Sequence, residues 1–591
     1  MPSVVIIGGG VGGLTVAHEL IERGFTVDIY EARAAWGGKS RSQPVPGSAT
    51  GSRRELPGEH GFRFYPRFYK HVIDTMSRIP SGGASVVERL RPTTESAIAL
   101  VDRATWYRFF RRRVSRPFEV IEALELFFQE LDFDNRDIGL FTAKILQFLT
   151  SCDERRMSEY ETVSWWDFLD GDRYSDNFQR QLRAVPRTMV AMDPRRGSAR
   201  TVGTVSMQLI MDYADTGVTN DRTMGGPTSE MWFDPWIDLL HSLGVHFHQS
   251  ALATAIHVGG GAITGIEIAG IGTVTADHYV LAVPIDTAIG LVNPAMAALD
   301  PALANLAAAN ADDLVSWMTG IQYFLYEDVP LVRGHTFYPD SPWALTTISQ
   351  PQFWRDLGLF RTRYGNGEVG GLISVDISDW DTPGNFINKT AKQCTADEVA
   401  KEVWAQLKAG LNGFSPDEAV LTDDMLHSWH LDDDIDYSGG APVNHSRLLV
   451  HPPGSWALRP EAASRIPNLA LAADYVRTNT DLASMEGACE AGRRAANVIL
   501  DRTNSATSRA QIWPLTEPAT FARAKKFDKW LHDAGRGHAF DILGIKNAAR
   551  AAQFLYRLES ITGWAKLDDW LDGRIRVTRT FRSVLEFIGF G

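Results

Sequence analysis

Val4-Val5-Ile6-Ile7 runs directly into Gly8-Gly9-Gly10-Val11-Gly12-Gly13, and the chain then passes through Leu14 to Gly24 before reaching Thr26-Val27-Asp28-Ile29-Tyr30-Glu31. An apolar run, a glycine turn, a helical pattern and a second apolar run ending in a carboxylate predict strand, turn, helix, strand. Gly8, Gly10 and Gly13 satisfy G-x-G-x-x-G. In that pattern the first glycine permits the sharp turn, the second lets a pyrophosphate approach the backbone, and the third lets helix and strand pack closely. The helix start offers free N–H groups to the phosphates, with Gly12 beside them. Glu31, eighteen residues after Gly13, stands where a carboxylate would hold a ribose diol. The helix is expected over Leu14 to Arg23, with Gly24 as its stop.

Next comes Ala32-Arg33-Ala34-Ala35-Trp36-Gly37-Gly38-Lys39-Ser40-Arg41. Paired glycines followed by cations predict a second close approach to a pyrophosphate, with Lys39 or Arg41 neutralising its charge.

With these residues the chain resembles the FAD-dependent flavin amine oxidase and phytoene desaturase superfamily, whose members open on a fingerprint, an acidic strand end and a G-G-[RK] turn. Glu59-His60-Gly61-Phe62-Arg63 is similar to the E-H-G segment of carotene desaturases and hydroxysqualene dehydroxylases, which lies beside the isoalloxazine. Pro467-Asn468-Leu469-Ala470-Leu471-Ala472-Ala473-Asp474 and Ser484-Met485-Glu486-Gly487-Ala488 resemble the family's P-N-L-x-L-A-G-D and M-E-G-A motifs. The resemblance implies FAD, held by Gly8, Gly10, Gly12, Gly13, Glu31, Ala32, Arg33, Gly38, Lys39, Glu59, His60, Gly61 and Phe62 from the first half. Ala253 would face the adenine, Ala282 would return the chain to the cofactor domain, and Asp474, Met485 and Ala488 would complete the site. His60 and Arg63 are the candidate polar groups at the flavin. Ala473 replaces the family's glycine, which would set the backbone there slightly farther from the cofactor.

The expected architecture is α/β: a Rossmann-type FAD-binding domain in three parts (1–84, 241–300, 441–505), interleaved with an α+β substrate domain and followed by a helical, cationic extension (506–591). The substrate blocks are a mostly helical cap over 85–240 and a second segment over 301–440. Their aromatics, including Phe127-Phe128, Phe148, Trp165-Trp166, Trp317, Tyr323-Phe324, Trp343 and Trp354, read first as core and lean toward an apolar pocket. Of the strand histidines, His246 and His248 share a face but have no further metal ligand near in sequence, so no metal is expected.

A chain of 591 residues with formal charge −13 calls for several domains and disfavours nucleic acid as a partner. Cys152, Cys394 and Cys489 are too scattered for a disulfide framework and suit a reducing compartment. No stretch spans a bilayer and the first strand begins by residue 4, which leaves no room for a leader and predicts a cytoplasmic protein. From Phe521 onward the balance reverses to thirteen Lys or Arg against eight Asp or Glu. There Val577, Phe581, Val584, Leu585 and Ile588 form an apolar stripe opposite Arg576, Arg579 and Arg582, with Trp530, Trp564 and Trp570 as anchors. Such a segment would lie on a membrane surface, pack back on the body, or meet a second copy in a homo-oligomer. The run Trp106-Tyr107-Arg108-Phe109-Phe110-Arg111-Arg112-Arg113 would flank a pocket mouth.

The resemblance implies hydride removal from a C–H bond of a hydrophobic, isoprenoid or lipid-like substrate. Three rivals share the motifs: an amine oxidase making hydrogen peroxide, a flavin isomerase, hydratase or dehydroxylase without net redox, and a lipid carrier that has lost the flavin. Intact glycines, Glu31 and Asp474 weigh against the last. Without a second fingerprint, the electron acceptor stays open among oxygen, a quinone and external FAD.

Overall fold

The structure, a computed structural model, describes residues 1–110, 133–190, 192–214, 221–413 and 419–543. They fall into two compact units: one comprises Met1–Arg112, Ala184–Asp193 and Gly217–Leu515, the other Arg113–Arg183, Pro194–Thr216 and Thr516–Gly591.

In the first unit, β1 (Ser3–Ile7), β2 (Thr26–Tyr30), β3 (His246–His248), β4 (His278–Leu281) and β5 (Leu469–Leu471) form a five-stranded sheet in the order β3-β2-β1-β4-β5. Every pairing is parallel. Val4 to Ile7 are all buried, the pattern of a central parallel strand covered on both faces. Helix α1 (Val11–Ile21) follows β1, and α2 (Met485–Arg502) packs beside it. α1 begins three residues before the expected start, because Val11, Gly12 and Gly13 already belong to its first turn. It ends before Gly24, whose φ of +83° is the left-handed stop that glycine supplies. β3 comes from mid-chain and β5 from near residue 470, so three separate segments close one sheet.

A seven-stranded mixed sheet runs in the order Thr105–Phe110, Glu95–Leu100, Gly334–Phe337, Thr346–Ser349, Gly371–Ile377, Thr319–Leu325, Leu426–Leu431. Its only parallel pair is Glu95–Leu100 with Gly334–Phe337. Strand alternation sorts its two faces. Ile321, Tyr323, Leu325, Ile373, Val375 and Ile377 form a core with Val399, Val403 and Leu407 of the helix Ala396–Leu411. That helix starts on a reciprocal cap between Thr395 and Glu398. The even-numbered side chains Gln322, Ser374 and Asp376 are on the opposite face.

The mostly helical cap expected over 85–240 opens on the strands Leu90–Pro92, Glu95–Leu100 and Thr105–Phe110, and among its described residues α-helices run from Asn135–Thr150 to Ala199–Ala214. Of the basic run, Thr105–Phe110 is a strand at the end of this sheet in which Arg108 pairs with Glu95 at 2.6 Å and Trp106 packs on the core. Arg111 to Arg113 lie outside the described residues. The elements among the described residues of the second unit are helices, with Phe148, Tyr160, Trp165 and Phe168 as a buried ring cluster. Within it, helix Ala522–Asp533 buries Leu531 and Asp528, and Asp528 accepts from Arg155 Nε at 2.9 Å. This part of the extension packs back on helices of its own unit. The stripe Val577 to Ile588, Trp564 and Trp570 lie outside the described residues, as do Phe127 and Phe128. Tyr323, Phe324, Trp343 and Trp354 are core residues.

Candidate cofactor and active site

The glycines of the first turn divide by what a β-carbon would meet. At Gly8, φ is +107° and a Cβ would lie 2.3 Å from the carbonyl oxygen of Ala282, which itself receives its place from the Ala282 N–H bond to Ile7 O at 2.8 Å. At Gly13 it would lie 2.0 Å from Gly8 O, and at Gly12 2.3 Å from Ala472 O and 3.4 Å from Ala488 O. Gly10 differs: only Gly38 Cα lies within reach, at 3.8 Å. Three glycines thus close the packing while the fourth leaves a gap. No side chain caps α1 at Gly10, so its first amides are available to an anion. Gly38 also has positive φ, and the turn is pinned by the Gly37 N–H bond to Gly9 O at 2.9 Å.

Glu31 is buried at the end of β2. Its carboxylate accepts from Gly9 N at 2.7 Å and Arg33 N at 2.9 Å, fixing it over the turn with lone pairs to spare for a diol. Ala32 is exposed beside it. Residues 248–251 run alongside, with Ser250 N donating to Arg33 O and Ala251 N to Glu31 O, and Ala253 opens the next strand. His246 and His248 do share a face, where both meet Asp28.

The other end of the chain delivers Asp474 just past β5. It is half-buried, and among the described residues its carboxylate has no hydrogen-bond partner. Met485 opens α2 behind the Ser484 cap, whose hydroxyl accepts from Gly487 N at 3.1 Å. One residue before Ala473, the carbonyl oxygen of Ala472 faces Gly12. Glu486 serves packing: its oxygens accept from the amides of Lys70, His71 and Val72 at 2.7 to 2.9 Å, tying α2 to the helix His71–Ser77.

An uncapped helix start, the space at Gly10, the anchored Glu31 carboxylate and the unpartnered Asp474 are groups that would fit a dinucleotide. Phe233 lies against Gly37 and Trp36 against Gly9, and a cleft of about 780 Å³ opens there, walled by Trp36, Pro44, Phe233 and Ile237 and rimmed by Arg53, Arg54 and Glu230.

Glu59, His60, Gly61, Phe62 and Arg63 face the polar side of the seven-stranded sheet. Gln322 clamps the segment, accepting from Glu59 N at 3.1 Å and donating to Glu59 O at 2.9 Å. A Cβ on Gly61 would lie 2.7 Å from Asp376 Oδ1, and one on Gly58 would strike the His430 ring. Burial pushes the Asp376 carboxyl up to about 8, with Arg63 only partly opposing it, so the group stays protonated near neutrality. Burial also raises Glu59 against the pull of Arg63, whose guanidinium lies 3.7 Å from Glu59 Oε2 and donates to Lys39 O at 3.0 Å. Phe62 lies tilted against His335, 4.9 Å between ring centres.

His60 Nδ1 is in a short hydrogen bond with Asp432, which also accepts from Gln43 Nε2 at 2.7 Å. Two residues on, Asp434 pairs with Arg33 and Arg41, each at 3.0 Å, and accepts from Ser446 Oγ at 2.5 Å. Burial opposes its ionisation, but Arg41, Ser446 and Arg33 prevail and hold it at about 2. Lys39 donates to Arg447 O at 2.5 Å. His60, Asp432 and Asp434 place one ligand-type atom each within 4.8 Å of one another. Their oxygens are already taken by the partners named, so the group is an ion-pair network. Gln43, Asp376, His430, Asp432 and Asp434 escape the sequence reading. The visible signal was the polar pair Ser374 and Asp376 in an otherwise apolar alternation.

This fold and site define a flavin oxidoreductase. The sequence model of the flavin-containing amine oxidoreductase family matches residues 11–500, and the chain belongs to that family. It is 25% identical over 535 residues to zeta-carotene desaturase of Synechocystis, covering 84% of this chain and 97% of that one. It is 23% identical to carotenoid phi-ring synthase of Streptomyces griseus, covering 85% and 88%. Among solved structures, cyclohexylamine oxidase of Brevibacterium oxydans aligns over 85% of this chain and 99% of its own with a TM-score of 0.56 at 14% identity. The protein is an FAD-dependent oxidoreductase. No helix among the described residues is long and apolar enough to cross a membrane.

Proposed function

We propose that this enzyme removes hydride from a C–H bond of a hydrophobic, isoprenoid-like substrate, in the manner of a desaturase or dehydrogenase. The observation that carries this reading is the end-to-end likeness to zeta-carotene desaturase, reinforced by a second carotenoid-related relative. Gly8 to Gly13, Glu31, Arg33, Lys39, Asp474 and the start of α2 would hold FAD, which when bound accepts hydride. The protein's own tasks are to orient a C–H bond, exclude water and move protons. The cleft beside Trp36 and Phe233 supplies apolar wall for a long substrate. His60 and Arg63 are the polar groups assigned to the reaction, with Arg63 balancing the buried carboxyls of Glu59 and Asp376. A substrate that partitions into bilayers makes contact of residues 521–591 with a membrane surface a natural corollary.

The test is direct. Purified protein should show the visible flavin bands and release FAD on heating. Anaerobic mixing with C30 or C40 polyenes in detergent or liposomes should bleach those bands and extend the polyene chromophore. Bleaching by primary amines alone, with hydrogen peroxide on re-aeration, would overturn the reading.

A further inference from the structure

Asp432 and Gln43 are more than a brace for the loop that follows strand Leu426–Leu431. Asp432 is 1% exposed and Gln43 3%. The Gln43 amide donates to one Asp432 oxygen, and its carbonyl accepts from Asp433 N at 3.0 Å. The other Asp432 oxygen is committed to His60 Nδ1. The carboxylate also accepts from Asp434 N at 3.0 Å. With both oxygens engaged, the carboxylate is held in place to meet the imidazole at Nδ1. Its Nε2 forms no hydrogen bond to a described residue, although the ring is nine-tenths buried. The same short loop reaches Arg33 and Arg41 through Asp434. It therefore spans from the E-H-G segment to the glycine turn and its cations.

We propose that Asp432, backed by Gln43, is a positioning residue that holds His60 with its proton on Nδ1, so that Nε2 receives a proton from the substrate. This rests on the desaturation reading. Removing two hydrogens from adjacent carbons takes one away as hydride to the flavin; the other leaves as a proton. As that second C–H bond breaks, its electron pair becomes the new C=C π bond, and the proton forms an N–H bond at His60 Nε2. The imidazolium produced is then stabilised by Asp432, as in other His–carboxylate pairs. The charged and titratable groups around this ring are Glu59 and Arg63 from its own segment, Asp376 from strand Gly371–Ile377, and His430, Asp433 and Asp434 around Asp432. Of these, Asp376 is held neutral by burial and His430 is pushed below the usual histidine range by burial, only partly countered by Asp433 and Asp432. His60 thus offers an imidazole tethered at Nδ1 with its other nitrogen open.

The experiment compares wild type, D432N, Q43A and H60Q, each loaded with FAD and checked by its visible spectrum. Histidine-selective ¹⁵N NMR, with the His60 signal assigned by its loss in H60Q, reads the tautomer without any substrate. Wild type should show His60 protonated at Nδ1, and D432N should lose that preference. On a polyene substrate D432N should lose roughly 10²- to 10³-fold in kcat with KM within threefold, and its basic-limb pH profile should move. Q43A should lose about tenfold. A wild-type His60 protonated at Nε2, or a D432N enzyme with wild-type kcat and pH profile, would overturn the proposal. Should D432N not fold, the wild-type tautomer and the H60Q rate still decide. Absence of polyene turnover in wild type, with amines oxidised instead, would refute the desaturation reading on which the role rests and is told apart by the substrate, since the tautomer is read without one.

Discussion

Gly10→Ala places a single methyl group where the fingerprint leaves its gap. Gly10 has φ −80° and ψ −176°, which any residue adopts, and the nearest atom to the new Cβ is Gly38 Cα at 3.8 Å. The fold should not notice; removing backbone freedom from the unfolded chain would stabilise the apoprotein by about 0.4–1 kcal/mol. The cofactor should notice, because the methyl occupies the approach to the uncapped first turn of α1. Loss of one charge-assisted N–H bond to a phosphate, at about 1.5–3 kcal/mol, weakens binding by the same amount. That is roughly 10- to 150-fold in Kd. Titrating FAD into apoprotein by flavin fluorescence, beside a thermal melt of the same apoprotein, reads the two effects separately. An unchanged Kd, or an apoprotein destabilised by more than about 2 kcal/mol, well outside the range of a tolerated surface change, would refute the assignment of Gly10 as the phosphate gap.

Gly12→Ala should show the opposite behaviour: its Cβ would lie 2.3 Å from Ala472 O, a backbone atom that cannot rotate away, so the apoprotein melt should drop markedly before FAD is added. For Asp376, the folded-state value of about 8 lies above the ordinary carboxyl value of 3.8. The folded state holds the proton, so this contribution is complete below about pH 4 and is lost as pH rises toward 8, on the order of 5 kcal/mol at most. Thermal melts from pH 5 to 9 should fall more steeply for wild type than for D376N, and equal slopes would contradict the buried neutral acid. D528A would leave Arg155, which is wholly buried, without its main partner. The melt should report a loss of about 3–5 kcal/mol, whereas a neutral result would mean that helix Ala522–Asp533 is not part of the helical unit's core.

The first βαβ unit was legible because every signal for it is local: a buried apolar run, glycines at fixed offsets and a carboxylate all lie within residues 4–31. The return of residues 467–488 to the same site was legible through its resemblance to a family. The groups around His60 were not. Asp432 is 372 residues away from His60 and 389 from Gln43. An acidic run such as Asp432-Asp433-Asp434 reads as a solvated turn until the fold supplies Arg33, Arg41 and His60 around it. The strand Thr105–Phe110 was missed for a related reason. Its aromatic and basic residues alternate in charge and bulk, but pairing with Glu95–Leu100 decides which of them meet a partner.

The way the seven-stranded sheet makes room explains why its polar face can be buried at all. Asp376 stands opposite Gly320 on one side and Thr346 on the other. A Cβ at Gly320 would lie 2.6 Å from Glu59 O and 2.8 Å from His60 O, so that strand gives up a side chain where the E-H-G backbone crosses it. Gly61 gives up another where the Asp376 carboxyl arrives, and Gly58 a third for His430. Each glycine admits one polar group of the facing element into contact with backbone. The paired row Gln322, Ser374 and His430 lies one step along. A one-residue slip in register would turn Asp376 and Gln322 toward Val399, Val403 and Leu407. The cost of burying unpartnered polar groups in that apolar layer is what fixes the register. The same alternation that builds the core against helix Ala396–Leu411 therefore aims Asp376 and His430 at the E-H-G segment.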